Sequence, residues 1–98
     1  MKEITPIEVQ ELLEKGEQLH LLDVREADEV AEGIIPGATH IPLGDVPVRM
    51  SELDVSKPYI LICRSGGRSG RAAEFLGDEG YDVTNMVGGM LKWEGTTE

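Results

Sequence analysis

The segment PYILIC, residues 58–63, constrains the fold more than any other part of the chain. Pro58 stands at its start, and five apolar or aromatic residues follow before the sequence breaks into RSGGRSG. Proline is tolerated at the first residue of a strand. An uninterrupted apolar run of this length is typical of a parallel strand that is buried on both faces. We therefore predict a strand here, in the centre of a sheet.

A helix is predicted near the start of the chain. Residues 4–16 read ITPIEVQELLEKG, with Thr5 as the N-cap, Pro6 at the first helical position, Glu8 completing a capping box and Gly16 at the end. The residues of its predicted apolar stripe are Ile7, Val9, Leu12 and Leu13.

Helical and strand patterns alternate along the remaining sequence. The other predicted strands are residues 19–24, a brief stretch around His40 and Ile41, and the beginning of residues 81–95. The other predicted helices are residues 26–33, a weaker pattern over 44–53 that Pro47 interrupts, residues 71–80, and a short terminal helix after a double glycine. This order predicts one α/β domain over residues 1–98, with a mostly parallel sheet covered by helices on both faces.

The composition argues against several functional classes. Acidic residues outnumber basic residues by 19 to 9, for a formal net charge of −10 at pH 7, which disfavours binding to nucleic-acid phosphates. The first residues contain no apolar leader segment, and no stretch approaches the roughly 18 apolar residues that a membrane span needs. We expect a cytoplasmic protein that binds neither nucleic acid nor membrane.

Cys63 is the only cysteine, and it lies where the predicted central strand ends. Reactive groups of open α/β sheets are found at the carboxyl ends of the strands. The next residues include Gly66 and Gly67 and lead into a helix, so their amides are expected to form an anion-binding cradle at a positive helix end. These amides, with Arg64 and Arg68, are expected to lower the thiol pKa and favour the nucleophilic thiolate. The alternative is that Cys63 merely fills space in the core.

Three segments together resemble the rhodanese-type sulfurtransferases. CRSGGRS preceded by YILI resembles the active-site loop of that family. LLDVREADEV followed by GIIPGATHIP is similar to its first signature, and VTNMVGGMLKW is similar to its closing signature. The resemblance extends from about residue 4 to residue 95, and it implies a rhodanese-like α/β fold with a sheet of about five strands.

The resemblance also implies an activity and a site. Cys63 would take a sulfane sulfur from an anionic donor such as thiosulfate, hold it as a persulfide and pass it to cyanide or to a thiol such as thioredoxin or glutathione. No metal and no organic cofactor would be needed. The implied substrate-binding residues are Arg64, Ser65, Gly66, Gly67, Arg68 and Ser69, with the two arginines attracting the dianionic donor.

Two other functions are considered. Small rhodanese-like domains also serve as persulfide carriers or protein-binding modules with little turnover of free thiosulfate. The related Cdc25-like phosphatases have an arginine six positions after their cysteine, where this chain has Ser69, and the shorter loop leaves less room for a phosphate. Ile34 and Val30 stand where the family pattern usually has a histidine and an aromatic residue, and both positions lie outside the loop.

The remaining polar and aromatic candidates are interpreted as structural. Asp23 and Arg25 are two residues apart at a predicted strand end and are expected to form an ion pair. His20 and His40 have no Cys or Asp at metal-ligand spacing. Trp93 is expected to close an edge of the core.

Overall fold

The structure is a computed structural model that describes residues 1–98. It contains a five-stranded sheet. The strands are β1 (Lys2–Ile4), β2 (Leu21–Asp23), β3 (Thr39–His40), β4 (Pro58–Ile62) and β5 (Asp82–Met86). Their order across the sheet is β1-β5-β4-β2-β3, and every neighbouring pair is parallel. The α/β prediction and the central position of the PYILI strand are therefore confirmed.

Helices pack on both faces of this sheet. The α-helices are α1 (Pro6–Glu14), α2 (Ala27–Ala31), α3 (Val46–Arg49) and α4 (Gly67–Asp78), and 3-10 segments lie at Leu43–Asp45, Met50–Glu52 and Gly89–Lys92. None of these helices combines the length and apolar character that crossing a bilayer requires.

The alternation of side chains along β4 divides the core into two clusters. Leu61 and Cys63 belong to a cluster that α3 and α4 cover, whereas Ile62 belongs to a second cluster covered by α1 and the terminal 3-10 segment. Successive strand residues point to opposite faces, so adjacent apolar residues of β4 supply both cores. Cys63 is thereby placed on the face that carries α4.

The first helix follows its sequence signals closely. The Thr5 hydroxyl accepts a hydrogen bond from the Glu8 amide at 3.2 Å, and the Glu8 carboxylate accepts one from the Thr5 amide at 3.0 Å. Val9 is fully buried, but Ile7 is 55% exposed, so its inclusion in the apolar stripe was wrong. Residues two apart on an α-helix point about 200° apart, and Ile7 and Val9 therefore cannot both face the core.

Three features of the fold differ from the sequence prediction. Strand β1 was not predicted, because it is three residues long, pairs only with β5 and carries two charged residues. Pro47 lies in the first turn of α3 rather than interrupting a helix. Helix α4 begins at Gly67, four residues before the predicted start at Arg71, because the low helix propensity of its glycines conceals the first turn.

Truncating the centre of the sheet tests this packing. Leu61 on β4 is fully buried, so Leu61→Ala is expected to lower the free energy of unfolding by about 2–5 kcal/mol through lost burial and the cavity left behind. Leu91→Ala is the matched control, since Leu91 is 60% exposed and its loss is expected to cost within about 0.5 kcal/mol. Urea denaturation of both variants measures the difference, and equal losses would contradict the described core.

Candidate active site

Cys63 directly follows the last residue of β4, so it lies at the carboxyl end of the central strand of the parallel sheet. The backbone here is fixed from the far end of the chain. The Met90 amide donates to the Cys63 carbonyl at 2.8 Å, and the Leu91 amide donates to the Arg64 carbonyl at 2.9 Å. The terminal 3-10 segment therefore forms one wall of the site.

Gly89 allows this close approach. Its φ is +57°, and a Cβ atom at this position would collide with the carbonyl oxygens of Cys63 and Arg64. Only a residue without a side chain fits here. The double glycine in VTNMVGGMLKW thus has a physical reason, because it brings the end of the chain against the cysteine loop.

Two donor groups lie within hydrogen-bond distance of the cysteine sulfur. The Gly66 amide donates to Cys63 Sγ at 2.9 Å, and the Ser69 hydroxyl lies 3.3 Å from the same atom. Gly66 has a φ of +104°, which glycine adopts without the steric cost that other residues meet. Because α4 begins at the next residue, the positive end of its dipole also faces this region.

These contacts set the protonation of the thiol. Burial raises the pKa of Cys63, but hydrogen bonds from the Ser69 hydroxyl and from the amides of Ser69, Gly66 and Ser65 outweigh it, so the net pKa is lowered. The anionic form is favoured because each of these donors stabilises the charge on sulfur. The loop amides were expected to lower this pKa and do so, whereas the charges of Arg64 and Arg68, also expected to contribute, are not among the main causes.

Cys63 is 0% exposed, so its neighbours have to decide whether it is a nucleophile or only fills space in the core. A cysteine that only fills a core has apolar neighbours and an unperturbed or raised pKa. Here the sulfur packs into an apolar cluster on one side, and on the other it accepts an amide hydrogen bond and lies against the Ser69 hydroxyl. The arrangement therefore fits a stabilised thiolate better than an inert filler.

Asn85, on β5, completes a buried polar network that sequence reasoning missed. Ser69 Oγ also lies 2.5 Å from Asn85 Oδ1, an alternative acceptor for its single proton, and Asn85 Nδ2 donates to the Gly66 carbonyl at 3.1 Å. Asn85 is paired in register with Leu61, two residues before Cys63, so it shares the face of the sheet that carries the cysteine. The other buried residues of β5, Val83 and Met86, are apolar, so an asparagine beside them was the available signal.

The two arginines expected to bind the donor are in different situations. Arg64 is exposed and forms no ion pair. Arg68 holds Glu29 of α2 through two bonds, from Nη1 to Oε1 at 2.6 Å and from Nη2 to Oε2 at 2.7 Å. The side-chain hydrogen bond from Arg68, with a backbone bond from Glu26, lowers the pKa of Glu29 to about 2.

Asp23 and Arg25 form the expected ion pair, and it is buried. Arg25 Nη2 donates to Asp23 Oδ2 at 2.8 Å and to the Gly33 carbonyl at 2.7 Å, while Nη1 donates to the Glu29 carbonyl at 3.3 Å. The pair connects the end of β2 to the helix that carries Glu29. Its role is therefore to position α2 beside the cysteine loop.

The histidines and the tryptophan have structural contacts. His40 Nε2 lies 2.7 Å from the Arg25 carbonyl, and the His20 ring tilts against Tyr59 with 5.6 Å between centroids. The structure groups no three His, Cys, Asp or Glu side chains in a way that would hold a metal ion. Trp93 packs at the edge of the second core cluster, as expected, and donates to the Thr96 carbonyl.

Comparison with known proteins agrees with this geometry. The chain is 48% identical to YtwF of Bacillus subtilis over 98 residues, which cover 100% of this chain and 95% of the relative. It is 33% identical to GlpE of Pseudoalteromonas translucida, a thiosulfate sulfurtransferase, over 95% of this chain and 89% of the relative. It superimposes on a rhodanese-like domain protein from Staphylococcus aureus with a TM-score of 0.94 and 35% identity, covering 100% of this chain and 97% of that structure. The rhodanese-like domain profile matches residues 5–96. The fold, the cysteine loop and these similarities together show that the chain belongs to the rhodanese-like domain family.

Proposed function

We propose that the protein transfers sulfane sulfur from an anionic donor such as thiosulfate to cyanide or a thiol, through a persulfide on Cys63. The observation that carries the proposal is the pair of donors on the sulfur, the Gly66 amide at 2.9 Å and the Ser69 hydroxyl at 3.3 Å. They support a thiolate at the end of the central strand. Such a thiolate is the nucleophile that sulfur transfer needs.

In the first step the Cys63 thiolate attacks the outer sulfur of thiosulfate. A new S–S bond forms, the S–S bond of thiosulfate breaks, and sulfite leaves with the bonding electron pair. The product is an anionic persulfide, and the total charge is unchanged. Because Cys63 is covered in the resting structure, its sulfur has to become accessible before the donor can react.

The loop amides then stabilise the charge that the reaction displaces. In the thiolate the charge lies on Sγ, and in the persulfide it lies on the outer sulfur, within the ring formed by residues 64–69. Preoriented donors aimed at developing charge often supply the largest catalytic contribution, and losing one costs about 3 kcal/mol. Ser65, Gly66, Gly67 and Ser69 act in this role through their amides, and Ser69 also through its hydroxyl.

In the second step an acceptor attacks the outer sulfur. Cyanide leaves as thiocyanate and a thiolate acceptor leaves as a persulfide, and in both reactions the Cys63 thiolate is regenerated. No metal ion and no organic cofactor takes part. The physiological acceptor is proposed to be a thiol, of which thioredoxin and glutathione are the two to compare.

Persulfide carriage with little turnover of free thiosulfate is the second candidate. Two observations favour it. Cys63 has no exposed surface, and one of the two arginines expected to attract the donor is already paired with Glu29. A phosphatase is less favoured, because Arg68 is engaged by a carboxylate and the Gly66 amide contacts the sulfur directly.

The thiocyanate assay separates these functions. Wild-type protein incubated with thiosulfate and cyanide is expected to produce thiocyanate, and Cys63→Ser to produce none, because serine forms no persulfide. Mass spectrometry without acceptor is expected to show one added sulfur atom on Cys63. A stable added sulfur without thiocyanate would support the carrier instead, and hydrolysis of a phosphate ester would support the phosphatase.

Removing the Ser69 hydroxyl tests the stabilisation of the thiolate. That hydroxyl contributes to lowering the pKa of Cys63, so Ser69→Ala is expected to raise this pKa and move the rising limb of the pH–rate curve to higher pH. The rate of alkylation by iodoacetamide against pH measures the shift. In Ser65→Ala the amide that contributes to the lowered pKa is retained, so its curve is expected to follow the wild type. Coinciding curves for all three proteins would exclude the role of the Ser69 hydroxyl.

Arg64→Ala tests the attraction of the donor. Since Arg64 is exposed beside Cys63 and unpaired, its loss is expected to raise the KM for thiosulfate about fivefold, a typical effect of one charge-assisted contact. The KM for methanethiosulfonate, which carries one negative charge less, is expected to rise less. Arg71→Ala is the matched control, because Arg71 is equally exposed but lies further along α4. Equal increases for both donors would argue against electrostatic recognition.

A further inference from the structure

Arg68 is the only arginine of the cysteine loop that is bound to an acidic side chain. The guanidinium of Arg68 presents both terminal nitrogens to the two carboxylate oxygens of Glu29, at 2.6 and 2.7 Å. This bidentate geometry is the one in which arginine also binds the oxygens of an oxyanion. The group best suited to hold the oxyanion end of a sulfur donor is therefore occupied by the protein itself.

Glu29 is held in place for this contact by several bonds. Its Oε1 atom accepts a hydrogen bond from the Glu26 amide at 3.0 Å, and its carbonyl accepts one from Arg25. Arg25 is itself fixed by the buried pair with Asp23. The carboxylate is thus positioned before it meets Arg68, which reduces the entropy lost when the pair forms.

The pair is also partly shielded from solvent. The side chains of Arg68 and Glu29 are 27% and 24% exposed, respectively, whereas the surface pairs Lys2–Asp82 and Arg49–Glu52 are exposed by 39% or more. Reduced exposure weakens screening and strengthens the attraction between the charges. A dianionic donor must compete with this carboxylate for Arg68, whereas a donor with less charge loses little by leaving Arg68 bound.

We propose that Glu29 is a specificity-determining residue that restrains Arg68 and thereby lowers the preference of the site for dianionic sulfur donors over donors of lower charge. The proposal rests on the sulfur-transfer function proposed above. The favoured donors are sulfane compounds that carry at most one negative charge, such as an organic persulfide or thiosulfonate. Attack of the Cys63 thiolate on a thiosulfonate forms the same persulfide and releases a sulfinate with the electron pair.

Glu29→Gln is the test variant, because glutamine keeps an oxygen that accepts from the Glu26 amide but removes the charge that holds Arg68. The ratio of kcat/KM for thiosulfate to kcat/KM for methanethiosulfonate is expected to rise about fivefold, as for one released charge at a partly exposed site. Glu32→Gln removes the same charge from an exposed residue that forms no ion pair, and it is expected to leave the ratio within about twofold of the wild type. An unchanged ratio in Glu29→Gln would overturn the proposal.

A second readout does not depend on sulfur transfer. Iodoacetate and iodoacetamide alkylate the same thiolate and need the same access to it, but only iodoacetate is anionic. The rate with iodoacetate divided by the rate with iodoacetamide is expected to rise in Glu29→Gln and to stay near the wild-type value in Glu32→Gln. If this ratio rises while no donor forms a persulfide, the restraint on Arg68 stands and the proposed function fails. If persulfide forms but neither ratio changes, the function stands and the specificity role fails.

The double variant Glu29→Gln with Arg68→Gln shows whether the released arginine causes the effect. Both charges are absent, so the ratios are expected to return to the wild-type values or below. Retention of the increase seen in Glu29→Gln alone would contradict the proposal, because Glu29 would then act without Arg68. Thermal unfolding of each variant, with a transition as cooperative as that of the wild type, confirms that folded proteins are compared.

Discussion

The site depends on one hydrogen bond, from the Gly66 amide to the sulfur of Cys63 at 2.9 Å. A buried thiolate is costly without donors around it, because burial penalises the charged form. The turn that supplies this donor also starts α4 at the next residue, and the amides of Ser65, Gly66 and Ser69 all act on the sulfur. The positive φ of Gly66, the short loop and the early helix start are all consequences of directing amides toward the sulfur.

The loop that follows Cys63 is held in place by residues that are distant in the sequence. Asn85 on β5 contacts Ser69 Oγ and donates to the Gly66 carbonyl, which holds the residue whose amide is directed at the sulfur. The 3-10 segment after Gly89 binds the carbonyls of Cys63 and Arg64 from outside. The bonds from the 3-10 segment satisfy two backbone oxygens near the site, and the Gly66 carbonyl also accepts from the Gly70 amide at 3.0 Å. The loop is therefore fixed by its carbonyls while its amides serve the sulfur.

Interactions that are local in sequence could be predicted, and those between distant segments could not. The capping box of α1, the central strand and the position of Cys63 at its end follow from residues within a few positions of one another. The bond from Arg68 to Glu29 joins residues 39 positions apart, and the bond from Ser69 to Asn85 spans 16 positions. No periodicity or capping signal reports such pairs. The resemblance to the rhodanese-type loop indicated residues 63–69 as the candidate site, but it did not show that Arg68 is already paired.

The polar groups around Cys63 therefore fall into two layers, an inner one in contact with the sulfur and an outer one of charged side chains. The inner layer consists of uncharged groups, the loop amides and the Ser69 hydroxyl, and it sets the protonation of the sulfur. The outer layer consists of the charges of Arg64, Arg68 and Glu29, and it acts on whatever approaches. Because the inner donors are dipoles in contact with the sulfur, the formal charge of −10 on the chain affects them little, and solvent screens much of its long-range field. In the proposed function, the charges of the outer layer therefore govern the choice of donor, while the inner donors act on the Cys63 sulfur.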